Sequence, residues 1–133
     1  MRGPSMQRDS DLPLILVVEE DTRTARRLAS LLREDGYAVE VARDGALAVG
    51  RLSRSPGPDV LITELQLRHV DGFAVARYAR AERPLINVIF LTGYPHLVQS
   101  RPDAPPSGSI VFTKPLDYDA LRAELERRCT LPS

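Results

Sequence analysis

Short aliphatic runs alternate along the chain with stretches of helical spacing. Leu14–Val18, Asp59–Thr63 and Ile86–Leu91 carry Leu-Ile-Leu-Val-Val, Val-Leu-Ile-Thr and Val-Ile-Phe-Leu. Apolar at successive positions, they fit parallel strands covered on both faces. Tyr37–Val41 alternates more, as an edge strand does, and Ser109–Phe112 supplies a fifth run. Between them, Ala25, Leu28, Leu31 and Leu32 form one helical stripe, with Arg23, Arg26, Arg27 and Arg33 on other faces. Asp21 or Thr22 can cap that helix and Gly36 can end it. Ala46, Val49 and Leu52 behind Asp44 predict a second helix, and Phe73, Ala76 and Ala79 behind Asp71 a third. Leu121, Leu125 and Cys129 behind Asp117 predict the last. The fourth is short or broken: Pro95 suits a first turn, but prolines at 102, 105 and 106 stop continuation.

Strand followed by helix, five times over, predicts an α/β fold with a doubly wound, five-stranded parallel sheet. Right-handed crossovers and a single switch point make 2-1-3-4-5 the economical strand order. The domain is expected at residues 13–129. Residues 1–12 read as a loose leader, with Met6 competing with Met1 as the native start, and 130–133 as a tail.

Composition narrows the function. At 133 residues there is room for one domain. Lys+Arg and Asp+Glu each number 18, so bulk charge attracts neither nucleic acid nor an anionic membrane. The longest apolar run, Leu14–Val18, falls far short of the roughly 20 residues of a membrane span. Cys129 is the sole cysteine, which excludes an internal disulfide and fits a reducing cytoplasm.

A sheet of this kind binds ligands beyond the carboxyl ends of its strands. There the chain places Glu19-Glu20-Asp21 after strand 1, Glu64 after strand 3, Thr92 after strand 4 and Lys114-Pro115 after strand 5. Asp21, and Glu20 with it, is also explained as an acid opening a helix, and Thr92 as a turn former. Glu64 and Lys114 are harder to explain that way. Lys114 is the only lysine against 17 arginines, and a compact ammonium approaches a carboxylate or phosphate without a planar fork.

Residues 13–129 resemble a receiver domain of two-component response regulators, a flavodoxin-like fold. The resemblance rests on Ile-Leu-Val-Val-Glu-Glu-Asp, Gly36-Tyr-Ala-Val, Ala42-Arg-Asp-Gly-Ala, Pro58-Asp-Val-Leu-Ile-Thr-Glu, Val70-Asp-Gly-Phe, Phe90-Leu-Thr-Gly and Phe112-Thr-Lys-Pro-Leu, in that order. It implies a bacterial signalling module rather than an enzyme. By the resemblance, Glu19, Glu20 and Glu64 match the residues that hold a divalent cation (Mg, Ca or Mn), and no other cofactor is expected. Glu64 matches the acceptor of a phosphoryl group from a histidine kinase, and Thr92 and Lys114 match the groups that bind that phosphate.

The chain departs from the pattern. Glu64 stands where the family has Asp, a methylene longer, and in-line phosphoryl transfer tolerates little misplacement. Glu20 also replaces Asp, Val111 lacks the family's switching ring, and Leu67-Arg68 replaces a common Met-Pro. Together these point to a phosphorylation-independent pseudo-receiver that acts through protein contacts. A homodimer face is expected on the fourth helix, fifth strand and fifth helix, including Tyr94, His96, Leu97, Tyr118 and Arg122. His69 and His96 read as loop residues rather than relay histidines. Two alternatives stay open: a working phosphoacceptor on Glu64, with Asp71 another nearby acid, and a flavodoxin-like ligand-binding domain. The second needs a phosphate-cradling loop where this chain has Glu-Glu-Asp-Thr-Arg-Thr.

Overall fold

A computed structural model describes residues 12–101 and 105–129; the expected leader up to residue 11, Pro102 and the tail lie outside them. Five strands, β1 (Leu14–Val18), β2 (Ala38–Ala42), β3 (Val60–Thr63), β4 (Asn87–Thr92) and β5 (Ile110–Thr113), pair in parallel in the order β2-β1-β3-β4-β5. The helices between and after them are α1 (Thr22–Glu34), α2 (Gly45–Leu52), α3 (Gly72–Glu82), α4 (His96–Ser100) and α5 (Tyr118–Arg128). This is the α/β doubly wound sheet that the pattern predicts. β2 to β5 each begin one residue later than the apolar runs do.

The period of two along the central strands divides the core. Leu16 and Val18 of β1, Leu61 of β3 and Val88 and Phe90 of β4 pack with Phe73, Ala76 and Ala79 of α3 and Leu52 of α2. Ile15 and Val17, Val60 and Ile62, and Ile89 and Leu91 face the other way, onto Leu28 and Leu32 of α1 and Leu121 and Leu125 of α5. Every residue of β1 and β3 is buried, whereas β2 and β5 at the edges are mixed.

Four helices start on an aspartate whose carboxylate accepts a backbone N–H three residues on: Asp21 from Thr24, Asp44 from Leu47, Asp71 from Ala74 and Asp117 from Ala120. Each such cap is worth about 1 kcal/mol. α1 ends where Gly36 takes φ +99°, a conformation that glycine adopts without a Cβ clash. α4 starts at Pro95 without a side-chain cap and runs only five residues. Among the described residues no helix is long and apolar enough to cross a membrane.

Candidate functional site

The residues just past the strands remain hydrogen-bonded to the neighbouring strand, which fixes their side chains in register. The N–H of Glu19 donates to Ala42 O at 3.1 Å, that of Glu64 to Val18 O at 3.1 Å and that of Lys114 to Thr92 O at 2.9 Å. Gly72 presses the start of α3 against this edge. A Cβ there would lie 2.1 Å from Glu64 O and 2.8 Å from Leu65 Cα. The Gly72 N–H donates to Leu65 O at 2.8 Å.

Lys114 binds two of the acids at once. Its ammonium lies 2.7 Å from Glu19 Oε1 and 2.9 Å from Glu64 Oε1. The carboxylates are nearly buried, with side chains 8% and 11% exposed, against 29% for the lysine. Burial pulls the Lys114 pKa down, but the hydrogen bonds it donates to Glu19 and Glu64 and their charges outweigh it and hold it above its ordinary value. The second oxygens are also engaged. Glu64 Oε2 accepts the Leu65 N–H at 2.6 Å and the Gln66 N–H at 3.4 Å, and Glu19 Oε2 accepts the Asp21 N–H at 3.1 Å.

Glu20 stands apart from that trio. Its Oε2 accepts the Arg68 N–H, and its Oε1 pairs with Arg68 Nε at 3.5 Å. Among the described residues no three His, Cys, Asp or Glu side chains form a group that could hold a metal ion. The donor set has suitable hard oxygens, but this arrangement does not gather them. Asp21 is the α1 cap and Asp71 the α3 cap, the latter also 3.4 Å from Arg101 Nη1. Thr92 is fully buried, and its hydroxyl accepts the Tyr94 N–H at 3.0 Å. The part played by Arg68 is missed from sequence, where the one available signal is an arginine in the loop that follows β3.

The expected partner face is only partly assembled. Tyr94 and His96 are exposed neighbours, with rings 6.3 Å apart, and Leu97 packs on the α3 side of the sheet. Tyr118 belongs to the opposite side. Its hydroxyl donates to Asp35 Oδ2 at the end of α1 at 2.7 Å, and Arg122 reaches the same carboxylate oxygen at 3.9 Å. Both residues therefore leave the α4–β5–α5 face. Val111 packs against the core cluster that contains Phe90.

A 2-1-3-4-5 sheet with acids after β1 and β3 and a lysine after β5 defines the class. The family model of the response regulator receiver domain matches residues 15–126, and the chain belongs to that family. It is 33% identical over 114 residues to the transcriptional regulatory protein ZraR of Escherichia coli, which covers 85% of this chain and 25% of that protein. The chain thus spans about a quarter of the length of that relative. It is 30% identical over 113 residues to the response regulator receiver protein CpdR of Brucella abortus, covering 85% of this chain and 93% of that one. The crystal structure of TrrA from Thermotoga maritima, in complex with Mg2+ and BeF, superposes with a TM-score of 0.77. At 24% identity, covering 89% of this chain and all of that one, it shows the fold.

Proposed function

We propose that this receiver domain signals through protein contacts without accepting a phosphoryl group, and that the Glu64–Lys114 pair holds its site in one fixed state. The observation that carries the reading is the 2.9 Å contact between Lys114 Nζ and Glu64 Oε1. The lysine that the family resemblance assigns to phosphate is already satisfied by the longer acid. Leu65 and Gln66 N–H groups hold the other oxygen of that acid. An attacking Oε would have to leave these donors, and in-line transfer loses about a hundredfold for a misplacement near 1 Å. Glu64 carries one negative charge where a phosphoryl group carries nearly two, so it mimics the phosphorylated state in part.

In this reading the domain works in the bacterial cytoplasm. Its partners are signalling proteins, met around Tyr94, His96 and Leu97, where a second copy could also dock. A net charge of zero gives no reason to invoke nucleic acid.

The test is incubation with acetyl phosphate and Mg2+, followed by intact-mass measurement. No mass gain is expected. A stoichiometric gain of one phosphate, abolished by Glu64→Gln, would make the domain a working acceptor instead. Glu64→Asp combined with Glu20→Asp shortens both acids and is expected to restore some phosphorylation.

A further inference from the structure

The three acids that the family pattern assigns to a divalent cation present six carboxylate oxygens, and each already has a donor. Lys114 Nζ takes Glu19 Oε1 at 2.7 Å and Glu64 Oε1 at 2.9 Å. Backbone N–H groups of Asp21 and of Leu65 and Gln66 take the second oxygens of those two. Residue 68 meets both oxygens of Glu20, one through its backbone N–H and the other through the Arg68 Nε at 3.5 Å, from a side chain that is 76% exposed. A metal ion bound to Glu19 and Glu64 would share its oxygens with an ammonium. Two positive groups on the same atoms repel strongly in a half-buried setting.

Length matters in the same direction. Mg2+ demands near-ideal octahedral geometry at about 2.0–2.1 Å and gives up its water reluctantly. Glu19 and Glu64 instead converge on the larger N–H···O spacing of an ammonium, and Glu20 is drawn out to the β3–α3 loop.

We propose that Lys114 and Arg68 are built-in counter-cations that keep divalent metal off Glu19, Glu20 and Glu64, so that the charge balance of this receiver is independent of Mg2+. The proposal goes beyond the reading above and can fail separately: a protein that binds metal and still accepts no phosphate would refute only this one. It also makes a positive claim. The same three acids, freed of both cations, retain the oxygen chemistry of a hard-metal site.

The test is a titration with Mn2+ alone, following the free-ion electron spin resonance signal, with Mg2+ and Ca2+ added in parallel thermal melts. For the wild-type chain no saturable Mn2+ uptake is expected. Its melting temperature should be the same in Mg2+ or Ca2+ as in a monovalent salt of equal ionic strength. Lys114→Met combined with Arg68→Ala is expected to take up one Mn2+ per chain, more than about tenfold tighter than wild type, since the repelling charges are gone. Its melting temperature should then rise with metal. Stoichiometric uptake by the wild type, lost in Glu64→Gln, would overturn the proposal. So would a double variant that is folded by circular dichroism and takes up no metal. Should the double variant not fold, the wild-type titration decides by itself.

Discussion

Replacing Lys114 by methionine tests the centre of the site. Methionine keeps an unbranched chain of similar length, so the stem packing survives and the charge alone is lost. What remains is two carboxylates, 8% and 11% exposed, with no ammonium between them. Removing one partner of a fully buried ion pair costs about 3–5 kcal/mol. The lysine side chain is 29% exposed, and solvent screening lowers the expected loss to roughly 2–4 kcal/mol. For a chain of this size that is a fall in melting temperature of roughly 6–15 °C.

The two sides of the pair are unequal. Two acids share one cation, so Glu64→Gln relieves an excess negative charge while it removes a contact, and its cost should be the smaller of the two. Urea unfolding of both single variants and of the double gives the coupling between Lys114 and Glu64, expected at about 1–3 kcal/mol. A Lys114→Met loss below about 0.5 kcal/mol, the level of an ordinary surface change, would refute the reasoning. Strict additivity in the cycle would refute the Glu64 half of it, because the lysine would then owe its stability contribution to Glu19 alone, its partner at 2.7 Å.

Two further perturbations follow from the packing and from the tyrosines. Gly72→Ala would push a methyl to within 2.1 Å of Glu64 O, an overpacking expected to cost about 1–3 kcal/mol; an unchanged urea midpoint would mean that the α3 start is not pressed on the strand end. Tyr37 is raised to about 12 by burial and by the charges of Cys129, Glu126 and Asp35, and Tyr118 is raised by burial and by its bond to Asp35. A folded state that keeps these protons loses stability as pH rises above the ordinary phenol value of 10 through about 12, and below 10 their contribution is constant. Tyr118→Phe should shrink the alkaline loss and cost stability at neutral pH through the broken Asp35 bond. Tyr37→Phe should shrink it at no neutral cost, because the buried Tyr37 hydroxyl has no hydrogen-bond partner. Alkaline unfolding curves identical to wild type in both variants would contradict this.

The fold was legible because several independent signals agree. Apolar runs mark the central strands, and four aspartates sit where four helices begin. The one-residue later ends of β2, β4 and β5 have a physical reason. Parallel pairing continues past the last apolar side chain, as Thr92 pairing with Thr113 shows. Tyr118 was misplaced for a different reason. It lies three residues before Leu121 and so shares the stripe that faces α1. Helical spacing contained that answer, and the face borrowed from the family resemblance obscured it.

At the site, residue type was legible and pairing was not. An acid after β1, an acid after β3 and a single lysine after β5 announce a charged edge. Which oxygen meets which donor depends on contacts between distant positions: Glu19 with Lys114, 95 residues apart, and Glu20 with Arg68, 48 apart. No local periodicity encodes such distances. The same carboxylates would read as a metal cup if Glu20 turned inward, and they read as a lysine-locked pair while the backbone N–H of residue 68 holds Glu20 aside. The chemistry of this receiver therefore turns on the backbone of the β3–α3 loop, whose N–H at residue 68 positions Glu20, as much as on the acids that the strand ends present.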